Sequence, residues 1–373
     1  MIQLDNLTKI FETPQGVTTA ADHISMEVPT GEICVLLGPS GCGKTTTLKM
    51  INRLITPTSG RVLINGEDTT GIDTVTLRRN IGYVIQQIGL FPNMTIEENI
   101  SLVPKLMGWD VKRCHQRAKD LLDMVALEPN TFMKRFPNEL SGGQQQRVGV
   151  IRALAADAPV LLMDEPFGAI DPINREVIQD EFLKMNKELN KTIMFVSHDI
   201  DEAVKMANKV AIFRAGKLEQ YSSPDRLLAQ PETDFVADFV GNDRTLKRLQ
   251  LATAGEVMET QVPIVTAEES LTQAAAKMDE YGHGMIVMVN KQHQPVGIIT
   301  KEMAATKRGL CGEHYAGVPV VMKHDQELRA VVSKMFAFDT SWIPVVDAQG
   351  RLCGEVSQRG ITHHLGAKYQ TKG

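Results

Sequence analysis

Gly38-Pro39-Ser40-Gly41-Cys42-Gly43-Lys44-Thr45, set directly after the apolar run Ile33-Cys34-Val35-Leu36-Leu37, constrains the fold more than any other stretch of this 373-residue chain. A short, wholly apolar run reads as a strand buried on both faces, which requires a parallel sheet covered by helices. The glycines let backbone N–H groups turn inward and approach phosphate oxygens with no Cβ in the way. A helix must follow, since Leu48, Ile51 and Leu54 are spaced for one helical face, and its N-terminus adds partial positive charge. Such a loop cradles a nucleoside triphosphate, with Lys44 reaching the β- and γ-phosphates and the Thr45 hydroxyl ligating Mg²⁺.

Three further apolar runs, Val160-Leu161-Leu162-Met163, Ile193-Met194-Phe195-Val196 and Val210-Ala211-Ile212-Phe213, predict more strands of the same α/β sheet. Val148, Ile151 and Leu154 form another helical face, and residues 91–150, rich in helix formers and without a strand signal, predict an inserted helical subdomain. A helical run around Phe235–Val240 stops at Gly241, and the polar residues beyond it read as a linker. Composition is that of a soluble globular protein, 43% hydrophobic and 23% charged, and the net charge of −5 offers no basic stripe for nucleic acid. The N-terminus carries neither a basic segment nor an apolar run, and no stretch nears the roughly 18 apolar residues of a membrane span. Five scattered cysteines without Cys-x-x-Cys spacing predict idle thiols in a reducing, cytoplasmic setting.

Two carboxylates, Asp164 and Glu165, stand where the second apolar run ends. Asp164 suits a Mg²⁺ shell and Glu165 a base or water-orienting group. His198 lies just past the third run, at the strand ends where ligands sit in such sheets. Leu140-Ser141-Gly142-Gly143-Gln144-Gln145-Gln146-Arg147 opens the helix of Val148 and Ile151. Ser141 and Gln144 have capping-box spacing, but two glycines in a first turn each cost about 1 kcal/mol against alanine. Close approach of something to the backbone, with a phosphate as the natural candidate, accounts for them.

The phosphate loop, the Leu-Ser-Gly-Gly-Gln signature, the Asp-Glu-Pro site and His198, in this order, resemble the ATP-binding-cassette (ABC) family over residues 1 to about 240. That resemblance implies a P-loop NTPase fold, ATP and Mg²⁺ as ligands, and a head-to-tail homodimer in which Ser141, Gly142, Gly143 and Gln144 complete the partner's site. It further implies catalytic roles for Lys44, Glu165 and His198. Gly38, Ser40, Gly41, Cys42, Gly43, Lys44, Thr45 and Thr46 become the phosphate cradle, and Thr45, Gln86 and Asp164 the metal ligands. Gln86 falls at the family's Q-loop, which relays to the membrane subunit, Asp171 at the D-loop of the dimer seam, and Phe11 where an aromatic meets adenine.

Ile81–Pro92 and Ile51–Ile55 resemble the subfamily that energises uptake of quaternary-amine osmoprotectants such as glycine betaine, carnitine and choline. The last third repeats itself: Val262-Pro263-Ile264-Val265 returns as Val318-Pro319-Val320-Val321, and a shift of 57 places Leu271 on Leu328, Met278 on Met335, Gly297 on Gly354 and Thr300 on Ser357. These α+β repeats look like a tandem CBS pair. Nucleotide-binding CBS modules place an Asp three residues after that Thr or Ser, where this chain has Met303 and Gly360, so nucleotide, ion or purely dimerising roles stay open. The expected domains are 1–242 (cassette, helical subdomain about 91–150), 243–254 (linker), 255–308 and 312–366 (CBS repeats) and 367–373 (tail). The expected setting is the cytoplasmic face of the inner membrane, beneath a transmembrane permease served by an extracytoplasmic substrate-binding protein. An importer of another small solute, or a soluble ABC ATPase, are the alternatives.

Overall fold

The computed structural model describes residues 1–14, 16–85, 89–168 and 170–367. The chain divides into two units, Met1–Gly241 and Asn242–Gly373.

In chain order the strands of the first unit are β1 (Ile2–Thr13), β2 (Gly16–Val28), β3 (Ile33–Leu37), β4 (Ser59–Ile64), β5 (Glu67–Asp68), β6 (Ile81–Val84), β7 (Val160–Asp164), β8 (Thr192–Val196), β9 (Lys209–Arg214) and β10 (Lys217–Ser222). The central sheet has the order β10-β9-β3-β8-β7-β6, parallel throughout except for β10. All five residues of each of β3, β7 and β8 are buried, which is why those runs are continuously apolar. A second, antiparallel sheet, β2-β1-β4-β5, has no counterpart among the expected strands. Toward its C-terminal end β2 alternates buried Ile24, Met26 and Val28 with exposed Ser25 and Glu27, so it shows a period of two rather than an apolar run. The helix Lys44–Ile51 lies in the core between the sheets, with Leu48 and Ile51 packed among Ile2, Leu7, Ile24, Leu36 and Phe213. Leu54 does not continue that face: the helix ends at Ile51 and Leu54 is exposed.

Between β6 and β7 stand the helices Ile96–Leu106, Val111–Met124, Pro129–Phe132 and Gly142–Leu154. Each long one has a side-chain cap: Thr95 and Ser141 make reciprocal capping boxes with Glu98 and Gln144, and Asp110 accepts from the Arg113 N–H. The helix Asp234–Val240 closes the unit at Gly241 (φ 87°).

The second unit contains β11 (Ile264–Val265), β12 (Met285–Val289), β13 (Pro295–Thr300), β14 (Met322–Lys323), β15 (Trp342–Val346) and β16 (Leu352–Ser357) in two three-stranded sheets of identical topology. Equivalent strands are offset by 57: Val265 pairs with Met288 as Met322 pairs with Val345. The Val-Pro motif match is therefore one residue out, since Met322, not Val321, fills the buried position of Val265. The expected linker 243–254 is also corrected. Leu249, Ala252 and Ala254 are buried in the core of the second repeat, and Arg248 donates to the Leu365 carbonyl at 2.7 Å. Conversely Cys311 packs into the core of the first repeat. The two repeats exchange flanking segments, and boundaries at 255–308 and 312–366 cut across that exchange.

Candidate functional site

The carboxyl ends of three adjacent strands make the site. Leu36 in β3 pairs with Val196 in β8, and Val196 with Asp164 in β7, so the loops that follow emerge side by side, where ligands bind in open parallel sheets. The loop after β3 is the phosphate loop. Gly43 caps its helix with φ 104°, and a Cβ there would lie 2.0 Å from the Ala20 carbonyl. Gly38, at φ 142°, would place a Cβ 2.2 Å from the Phe213 carbonyl. Both must be glycine on steric grounds alone. Cys42 is buried, Ser40 and Gly41 are exposed, and Thr45 and Thr46 are half-buried.

Lys44 is 8% exposed, and its ammonium donates to the Gly38 carbonyl at 2.7 Å and the Pro39 carbonyl at 2.9 Å, with Cys42 Sγ at 3.6 Å. These loop acceptors hold the cation where phosphate oxygens would compete for it. The Thr45 hydroxyl donates to Asp164 Oδ1 at 2.9 Å. Burial pushes the Asp164 carboxyl above its usual range, the Thr45 hydrogen bond opposes that, and the neighbouring Glu165 charge adds to it.

Glu165 has φ 49°, the left-handed region that a non-glycine residue rarely adopts. Its N–H donates to the Val196 carbonyl at 3.0 Å and its Oε2 lies 3.7 Å from His198 Nδ1. His198 is largely exposed at 69%. Behind it, the Ser197 hydroxyl donates to Glu202 Oε2 and accepts the Asp199 N–H at 3.0 Å, which fixes the turn that presents the imidazole. Burial raises the Glu202 carboxyl, and Gln179 Nε2 donates to its other oxygen at 3.2 Å.

Away from this cluster, Ser141 and Gln144 are engaged with each other: the Ser141 N–H donates to Gln144 Oε1 at 2.9 Å and the Gln144 N–H to Ser141 Oγ at 3.3 Å. Asp171 caps the helix Pro172–Leu189, and its side-chain and backbone hydrogen bonds with Asn174 hold its carboxyl low. Phe11 lies half-buried in β1, opposite Thr18, two residues from the Ala20 carbonyl that touches Gly43, with Lys9 Nζ 4.9 Å from its ring centre. Gln86 lies outside the described residues.

Comparison with known proteins agrees with this geometry. Residues 21–168 match the ABC transporter family model and residues 254–305 the CBS domain model. The chain is 56% identical to the osmoprotectant import ATP-binding protein OsmV of Salmonella typhimurium, over 98% of this chain and 96% of that protein. The chain belongs to the ABC transporter family, among its osmoprotectant-import ATP-binding subunits. The glycine betaine/carnitine/choline transport ATP-binding protein OpuCA of Bacillus subtilis is 44% identical over 97% of this chain and 95% of its own length. Among solved structures, a dimeric ATP-binding cassette in a post-hydrolysis state bound to ADP and Pi superposes with a TM-score of 0.56 and 35% identity, covering 60% of this chain and 98% of that one.

As an ABC ATPase the cassette binds ATP. The donor set beside the loop after β3 fits Mg²⁺, a hard cation that takes one or two protein oxygens and fills its shell with phosphate and water. A hydroxyl and a desolvated carboxylate meet that description, and no denser group of His, Cys, Asp and Glu occurs among the described residues. The five cysteines form no disulfide, and no described helix is long and apolar enough to cross a membrane. Two residues of this region escaped sequence reasoning. Glu202 is one of many helical acids until its burial is known. Gln146 is the third of three consecutive glutamines, and only the helical phase, which turns it inward, separates it from its neighbours.

Proposed function

We propose that two copies of this chain pair head to tail around two ATP molecules and drive a membrane permease that imports a quaternary-amine osmoprotectant. The observation that carries the pairing is the surroundings of Gly142 and Gly143. A Cβ at either would meet nothing within 4 Å, and neither has a positive φ. No feature among the described residues calls for glycine at this helix tip, unlike Gly38 and Gly43. The requirement comes from outside, and a phosphate gripped by the second copy supplies it.

In this reading Lys44 leaves its loop carbonyls for the β- and γ-phosphates, and backbone N–H groups of residues 41–46 hold the remaining oxygens. Phe11 stacks on the adenine. Thr45, Asp164 and Gln86 would hold Mg²⁺, which would supply charge neutralisation at the phosphates. Glu165 orients a water in line with the γ-phosphorus and takes its proton as the new P–O bond forms and ADP leaves. His198, whose Nδ1 lies 3.7 Å from Glu165 Oε2, contacts the γ-phosphate beside it. Ser141, Gly142, Gly143, Gln144 and Asp171 come from the other copy.

The permease is assigned to a groove of about 310 Å³ lined in part by Arg78, Arg79, Tyr83, Phe91 and Arg152. The named activities of the OsmV and OpuCA relatives support the osmoprotectant as cargo, delivered by an extracytoplasmic binding protein, with the cassette on the cytoplasmic face of the membrane. The CBS pair then regulates. In it Thr300 and Ser357 accept the N–H groups of Met303 and Gly360, so the characteristic Thr and Ser serve as helix caps.

Glu165→Gln tests the core of this reading. Turnover should fall by about 10²–10⁴, with ATP affinity retained and a closed dimer trapped. Unchanged turnover would move the base elsewhere.

A further inference from the structure

Glu165 holds a backbone conformation that persists only where its surroundings over-determine it. Its N–H is fixed to Val196, on β8. Its carbonyl accepts the Gly168 N–H at 3.3 Å and, from a different element, Nε2 of Gln146 at 3.2 Å. Gln146 is 6% exposed and belongs to the helix Gly142–Leu154. It stands five residues after Ser141, roughly 7.5 Å along the axis at 1.5 Å per residue. One end of this helix is thus the open glycine tip, and its second turn holds the backbone of the carboxylate that works at the chain's own nucleotide.

We propose that Gln146 is a positioning residue that ties the aim of Glu165 to the helix tip touching the other copy's nucleotide. The inference rests on the head-to-tail reading given above and extends it to communication between the two sites. When the tip engages the γ-phosphate on the partner, the helix settles as a unit, because helices move as rigid bodies in packed cores. The Gln146 amide then holds the Glu165 carbonyl, and with it the φ and ψ that direct the carboxylate at water. With the tip disengaged, as in the single chain, the bond stands at 3.2 Å with nothing outside the chain to hold the helix in place, and small shifts cost it much of its strength because a hydrogen bond weakens steeply with angle. Hydrolysis at each site thereby depends on occupancy of both.

The test uses the full-length dimer with Gln146→Ala, which removes the donor, and Gln146→Glu, which keeps the shape but turns an acceptor toward the Glu165 carbonyl. Binding of a fluorescent ATP analogue and ATP-driven dimerisation should stay within twofold of wild type. The maximal rate should fall roughly tenfold, the scale of one aligned hydrogen bond, and the Hill coefficient for ATP should drop toward 1. In a Glu165→Gln background the same substitutions should cost nothing further, because they act through Glu165. Wild-type rate and cooperativity in both variants would overturn the inference, and so would a loss that simply multiplies with that of Glu165→Gln. If Glu165→Gln itself turned over normally, the underlying functional reading would fail; if it were inactive while both Gln146 variants ran normally, the failure would belong to this inference alone.

Discussion

At the residue scale the glycines separate two kinds of constraint. Gly38 and Gly43 are required by the chain itself, since a Cβ would strike a backbone carbonyl and the φ values are positive. Gly142 and Gly143 occupy ordinary helical conformation in open space. Intrinsic propensity then gives a signed expectation: Gly143→Ala should leave the isolated chain as stable as wild type or up to about 1 kcal/mol more stable, while ATP hydrolysis falls. Thermal melting and a steady-state assay on one preparation check both halves, and a destabilised fold would show that the glycine serves its own chain after all. The motif residues were readable in the sequence because their chemistry is local: Asp164 ends a buried strand, and Glu165, His198 and Lys44 follow buried strands within two residues or one short loop. Gln146 was not, because what distinguishes it is a contact to the Glu165 carbonyl on another element, and Glu202 was not, because its role rests on burial and on Gln179 from a different helix as well as on nearby Ser197.

At the scale of elements, strands buried on both faces are written plainly as apolar runs, and β3, β7, β8 and β9 lie where those runs predict them within a residue at each end. The antiparallel β1, β2 and β4 were hidden because a sheet with one solvated face mixes Thr, Lys and Glu with its apolar residues, a pattern shared with loops. Burial of a charge inside an element is equally invisible in sequence. Glu355 in β16 is 4% exposed, backbone-paired with Glu259, and its Oε1 lies 3.5 Å from His283 Nδ1. Burial raises its carboxyl above the ordinary 4.5, the His283 imidazole opposes the rise and the Glu259 charge reinforces it. A carboxyl raised on folding stabilises at low pH and loses that contribution as pH climbs through its folded value. Glu355→Gln should therefore stabilise the second unit more at pH 8 than at pH 5. Melting of both proteins across that range decides it, and parallel profiles would remove Glu355 as the cause.

At the scale of the whole molecule, the division at Gly241 is foreshadowed by a helix that ends in glycine, but the exchange of flanks between the repeats is not. Leu249, Ala252 and Ala254 sit in a polar neighbourhood of the sequence and are buried only because the second repeat folds over them, a long-range event with no local signature. Pairing of two copies is likewise a property of the assembly, and it can be measured by complementation. Glu165→Gln and Gly143→Asp chains, each inactive alone, are mixed under conditions that allow exchange. If the helix tip of one copy serves the nucleotide of the other, a mixed dimer contains one site with every functional group intact. The mixture should recover ATP hydrolysis above either parent but well below a quarter of the wild-type rate: half the dimers are mixed, one site in each is whole, and the Glu165 of that site lies on the chain whose own tip is altered. A mixture as inactive as either parent would contradict the shared site.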